Sequence, residues 1–163
     1  MSQGQISSAA QARTFIQAGN ATVTLVSKAT GARFTYKVQA PHKEGNEGTN
    51  AARDTASQMR FVKLLTGADN ENSYTYMGYI KRGVYFNGNK KIGADAPGNK
   101  AFAWAWNKLQ QQTATDDLPA GLEVWHEGRC ARCARPLTVP SSIAAGFGPE
   151  CIAHAGFSST WVA

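Results

Sequence analysis

From Thr22 onward the chain alternates apolar and polar residues in short runs separated by turn chemistry. Thr22-Val-Thr-Leu-Val-Ser and Arg33-Phe-Thr-Tyr-Lys-Val each send every second side chain to one side, and Lys28-Ala-Thr-Gly lies between them. That pattern predicts a β-hairpin. Arg60-Phe-Val-Lys-Leu-Leu-Thr-Gly and Tyr74-Thr-Tyr-Met-Gly-Tyr-Ile flank the turn-forming Ala68-Asp-Asn-Glu-Asn-Ser, and Gly83-Val-Tyr-Phe-Asn follows. Their β-branched and aromatic content predicts further strands, giving four or five antiparallel strands connected in sequence order.

Two polar stretches interrupt the array. Ala40 to Gln58 holds almost no large apolar group and reads as a long mobile loop, while Asn87 to Lys100 is basic and glycine-rich. Ala101-Phe-Ala-Trp-Ala-Trp-Asn-Lys-Leu-Gln-Gln-Gln fits two periods: Phe102, Trp104 and Trp106 alternate, whereas Phe102, Trp106 and Leu109 share a helical face. Alanine and glutamine content favours one main helix packed on the sheet, an α+β fold. The expected organisation is a flexible lead-in over 1–13, a sheet domain over 14–112, a linker over 113–120 and a small C-terminal module over 121–163.

Length and composition agree with that division. At 163 residues and 42% hydrophobic content, the chain suits one ordinary domain with a small appendage and excludes wholesale disorder. No apolar run is long enough to cross a bilayer and no secretory signal pattern is seen, so the expected location is the cytoplasm. The net charge is +6, and residues 28 to 108 alone carry 13 basic and 6 acidic residues. A positive middle favours a polyanionic partner, or equally a solvated surface, and its sign excludes strong mimicry of DNA.

All three cysteines fall in the last third: Cys130-Ala-Arg-Cys133, then Cys151. An odd count with a CxxC pair argues against a disulfide framework, and the βαβ setting of a redox CxxC is absent. Structural zinc is the leading reading, because a CxxC turn presents two thiolates to one tetrahedral ion and a distant third closes the site. Gly146-Phe-Gly-Pro-Glu-Cys predicts a helix start at Pro149, which places Cys151 in a first turn where the helix dipole favours thiolate. The outline is that of a treble clef. For the fourth ligand, His126 precedes Cys130 by four residues, and His154 follows Cys151 by three on one helical face, the simpler geometry.

The segment Val124-Trp-His-Glu-Gly-Arg-Cys-Ala-Arg-Cys-Ala-Arg-Pro-Leu-Thr-Val-Pro-Ser-Ser-Ile-Ala-Ala-Gly-Phe-Gly-Pro-Glu-Cys resembles a family of uncharacterised bacteriophage, plasmid and actinobacterial proteins with a C-terminal CxxC-x-R-x-L-T-x-P-x-S-I-x-x-G-x-G-P-x-C module. The match includes Arg135, Leu137, Thr138, Pro140, Ser142, Ile143, Gly146, Gly148 and Pro149 with the cysteines, while Ala134 stands where glycine is common. Phe34-Thr-Tyr-Lys-Val, Phe61-Val-Lys-Leu-Leu-Thr-Gly and the turn before Tyr74 resemble its longer members. The resemblance implies a mobile-element origin, a bacterial host cytoplasm and structural Zn²⁺, and it moves the fourth ligand to His126. It implies no activity.

Three function classes are weighed. Nucleic-acid binding, with single-stranded DNA or RNA favoured, would use Arg129, Arg132 and Arg135 around the knuckle, Lys81, Arg82, Lys90 and Lys91, and sheet-face aromatics drawn from Tyr36, Tyr74, Tyr76 and Tyr79. The arginines could instead balance a zinc site that carries one net negative charge, and strand aromatics commonly pack a core. The alternative is a protein-interaction factor that binds and inhibits or redirects a host enzyme or a CRISPR-type defence complex. An enzyme is least supported, because no spare histidine serves as a base and no acid pair is aimed by a helix.

Overall fold

The computed structural model describes residues 4–40, 59–68, 73–111, 115–131, 143 and 146–147. Among them, one antiparallel sheet has seven strands: β1 (Gly4–Ile6), β2 (Asn20–Ser27), β3 (Arg33–Gln39), β4 (Met59–Leu65), β5 (Tyr74–Lys81), β6 (Val84–Asn87) and β7 (Leu122–His126). Their spatial order is β1-β7-β2-β3-β4-β5-β6. Two helices, α1 (Ala9–Ile16) and α2 (Pro97–Gln111), complete the α+β architecture.

Strands β2 to β6 are the expected meander in sequence order. Three expectations are corrected. Among the described residues the sheet has seven strands rather than four or five, and two helices stand where one main helix was expected. The lead-in is built into the fold: β1 pairs with β7 from Gly4↔His126 to Ile6↔Val124, and α1 buries Ala9, Ala12, Phe15 and Ile16. Ser8 caps α1 by accepting the Gln11 amide on its hydroxyl at 3.2 Å. Third, β7 belongs to the sheet and not to a separate module, since it pairs along β2 from Val23↔His126 to Ser27↔Leu122. The stretch expected as a linker is tied to α1: the Ala9 amide donates to the Asp116 carbonyl at 2.9 Å, and the Ser8 hydroxyl donates to Asp116 Oδ2 at 2.5 Å. The expected loop over 41–58 lies outside the described residues.

Pairing parity assigns the two faces of the sheet. The inner face carries Val23, Leu25, Tyr36, Val38, Val62, Leu64 and Val124, all buried, and both helices cover it. α2 opens on Pro97, where a missing amide proton costs nothing. Its face of Phe102, Ala105, Trp106 and Leu109 packs down: Phe102 meets Tyr36 and Tyr85 at centroid distances of 5.0 and 4.9 Å. The indole of Trp106 donates to the Gly83 carbonyl at 2.9 Å. Gly98 allows this approach, because a Cβ there would stand 2.5 Å from Leu64 Cδ2. Arg60, 3% exposed, donates from Nε to the Gln17 carbonyl at 2.9 Å and so fastens the end of α1 to β4.

Candidate functional site

The outer face is the side of the sheet that neither α1 nor α2 covers. Two rows cross its strands. One runs Gln39↔Phe61↔Tyr79↔Phe86, and beside it lies Lys37↔Lys63↔Tyr76. Leu65↔Tyr74 and the pair Lys81↔Val84 extend the surface in the two strand directions. A register shift between Val62 and Lys63 is what unites the tyrosines. In a regular strand Tyr76 and Tyr79, three apart, would point to opposite faces; the bulge restores them to one. Gly78 sits at that bulge, where a Cβ would stand 2.2 Å from the Phe86 carbonyl oxygen.

The rings on this face are organised by one another. Tyr79 and Phe86 stack at 5.2 Å with 27° between planes, and Phe61 meets Tyr76 edge-on at 5.9 Å. Lys37 Nζ lies 4.5 Å from the centre of the Tyr74 ring, a cation–π contact. Burial, reinforced by the Glu127 carboxylate, pushes the Tyr74 phenol up to about 12, and Tyr76 is raised in the same way by burial and by Tyr79. Charge is divided across the face: lysines occupy β3, β4 and β5, while β7 brings Glu123 and Trp125, with the Trp125 indole donating to Glu123 Oε1 at 3.2 Å.

The expected basic residues fall at the margins of this surface. Lys81 and Arg82 are exposed at the β5–β6 turn, where Arg82 at φ 51° and Gly83 at φ 81° form the two-residue connection a tight hairpin requires. Lys90 and Lys91 are exposed on a loop that borders Tyr76, since Asn89 Nδ2 donates to the Tyr76 carbonyl. That loop is held by Asn87, which donates to the Ile92 carbonyl at 2.6 Å, and by Asn99, which accepts the Tyr85 hydroxyl at 2.6 Å. Tyr36 is corrected: it is fully buried on the inner face and donates to the Gly98 carbonyl at 2.6 Å. Phe61, Phe86 and Trp125 were not anticipated, although their parity with polar neighbours on the same strands carried the signal.

At the other end, β7 runs into the cysteine segment. His126 is fully buried; the Gly128 amide donates to its Nδ1 at 2.9 Å, and its Nε2 donates to the Ile143 carbonyl at 2.5 Å. This is the neutral tautomer protonated on Nε2. Burial holds the imidazole below its ordinary range, with the Ile143 carbonyl and then Glu127 pulling the other way. Phe15 stacks on the ring at 5.9 Å, and Phe147 meets Phe15 edge-on at 6.0 Å. Gly4 is required beside it, since a Cβ there would stand 2.3 Å from Nε2.

Cys130 is fully buried, and the backbone around it is stitched on both sides. The Ala131 amide donates to the Gly146 carbonyl at 3.0 Å, and the Asn20 amide donates to the Ala131 carbonyl at 2.8 Å. The first of these bonds joins the CxxC segment to the stretch that leads to Cys151. Among the described residues no three potential metal ligands gather. Cys133, Cys151, His154, Arg132 and Arg135, with the expected C-terminal helix, lie outside the described residues, and Arg129 is half-buried.

The model of a family of unknown function, DUF6011, matches residues 120–156, a span that starts just before β7 and includes all three cysteines. No curated protein and no solved structure matches the chain. Among the described residues, no helix is long and apolar enough to cross a membrane.

Proposed function

We propose that this chain is a zinc-binding protein of phage or plasmid type that binds single-stranded nucleic acid on the outer face of its sheet. The observation that carries the reading is the gathering of Phe61, Tyr76, Tyr79 and Phe86 beside Lys37, Lys63 and Lys81 on one face that no described helix covers. Aromatic rings next to cations on an open sheet suit unpaired bases, whose π-faces stack on rings while phosphates meet ammonium groups. A duplex would keep its bases stacked on one another and leave such rings without a ligand.

Zinc is the structural half of the reading. Cys130, Cys133 and Cys151 supply thiolates, and the Ala131–Gly146 hydrogen bond supports it by drawing the two halves of the motif together. Three thiolates and one histidine are the donor set of a closed structural site. For the fourth ligand we favour His154 over His126, because both ring nitrogens of His126 already have hydrogen-bond partners in the core. Bound zinc would rigidify the segment that follows β7. The arginines near the cysteines then offset the negative charge of a thiolate-rich site.

The test is binding of the zinc-loaded protein to oligomers of single-stranded DNA, single-stranded RNA and duplex DNA at two salt concentrations. Single strands are expected to bind more tightly than duplex, and affinity should fall steeply as salt rises through release of counterions. Absence of salt-sensitive binding to any of the three would sink the reading and turn attention to a host protein or defence complex as partner.

A further inference from the structure

The exposed large hydrophobic residues among those described are three: Val84 at 52%, Trp104 at 45% and Phe86 at 44%. Two of them lie on β6, which is an edge of the sheet. Phe86 has Tyr79 stacked on it from the neighbouring strand, and among the described residues no further strand follows β6. A two-ring stack therefore ends in an exposed ring at the margin of the fold.

The bland account is a cross-strand aromatic pair that stabilises a hairpin. It explains the contact with Tyr79 but leaves Phe86 on the surface, and an open apolar edge is a liability that proteins otherwise blunt. Cations stand next to it. Lys81 faces Val84 across the ladder, two residues from the Tyr79–Phe86 pair, or about 7 Å along the strand. Arg82 follows in the turn. Among the described residues Lys63, Lys81 and Arg82 take part in no ion pair.

We infer that Phe86 is the outer station of a base-stacking site: an unpaired nucleobase lies on the ring of Phe86 and extends the Tyr79–Phe86 stack, with Lys81 and Arg82 taking the adjoining phosphates. The inference rests on the proposed single-strand reading and adds to it the place where a base docks. Tyr74 is left out because Lys37 already occupies its ring. Stacking needs only a flat π-face, so the station accepts any base and either sugar.

The experiment measures anisotropy of labelled thymidine and uridine oligomers, and of an abasic deoxyribose-phosphate oligomer of equal length, with the full zinc-loaded chain. Phe86→Ala and Phe86→Leu are compared with Trp104→Leu, which changes an exposed residue of α2 on the opposite side of the sheet. Phe86→Leu keeps an apolar strand residue and removes the π-face, and the thermal midpoint of each variant, read by circular dichroism, separates lost folding from lost stacking. Both Phe86 substitutions are expected to weaken thymidine and uridine oligomers roughly 5- to 150-fold. The abasic strand should bind weakly and respond to neither. Lys81→Gln and Arg82→Gln should each lower the salt slope by about one, whatever the base. If the wild type binds single strands and Phe86→Leu binds them equally well, the station is wrong while the broader reading stands. If the wild type binds none of the oligomers, both fall, and the β6 edge is assigned to a protein partner.

Discussion

Tyr36, Tyr74 and Tyr85 keep their protons chiefly because they are buried, with different neighbours adding to or opposing that effect, and together they give the molecule an alkaline limit. Tyr36 is raised first by burial and then by Tyr85; Tyr85 is raised by burial and by Tyr76 against an opposing hydrogen bond from Asn87; Tyr74 is raised to about 12. A phenol whose folded value exceeds its unfolded value near 10 contributes stability that is whole below pH 10 and is lost as the pH climbs toward 12. Phenolate absorbance followed beside circular dichroism should therefore show late-titrating tyrosines whose ionisation coincides with unfolding. Simultaneous titration of all five tyrosines near pH 10 with the fold intact would refute it. The same residues mark what the sequence could and could not reveal. Tyr36 shares parity with Phe34 and Val38, so its place in the core was readable from the alternation of its own strand. Tyr76 and Tyr79 were named with Tyr36 and Tyr74 as strand aromatics, yet nothing in the sequence announced the bulge that sets Tyr76 and Tyr79 on one face, because a bulge is a property of a strand pair.

At the scale of elements, β2, β3 and β4 were legible from their two-residue alternation, β5 and β6 from their β-branched and aromatic content, and all from the turn residues that bound them. β1 has only three residues, too few to show a period, and it exists because β7 offers it an edge. α1 did carry a signal, since Ala9, Ala12, Phe15 and Ile16 lie on one helical face, but small residues make that stripe faint. Its stability depends on a cap shared with a distant segment: the Ser8 hydroxyl accepts from Gln11 and donates to Asp116, whose Oδ1 also accepts the Ala10 amide at 3.0 Å. Ser8→Ala is expected to cost about 0.5–2 kcal/mol, read as a lower denaturation midpoint. Asp116→Asn should reproduce part of that loss and add little to it in the double variant, since the two groups act as one unit. Full additivity would show that the cap and the Asp116 contact work independently.

For the molecule as a whole, the start of the cysteine segment is joined to the sheet, because β7 is an interior strand that continues within four residues to the buried Cys130. Chelation should accordingly do more than loosen a terminal appendage. Metal analysis is expected to return one zinc per chain, and stripping it should lower the thermal midpoint of the entire sheet. His154→Ala should abolish tight zinc binding, whereas His126→Gln should lower stability and retain the metal; the reverse pattern would return the fourth ligand to His126. What remained hidden in the sequence was long-range pairing, since Gly4 and His126 form one ladder rung although the whole meander separates them. That rung also orders events on the ribosome. A nascent chain can assemble the meander as it emerges, but Gly4 to Ile6 must wait, without a neighbour, until residue 126 has left the exit tunnel. Synthesis halted anywhere before that point leaves the first strand dangling and the flank of β2 uncovered.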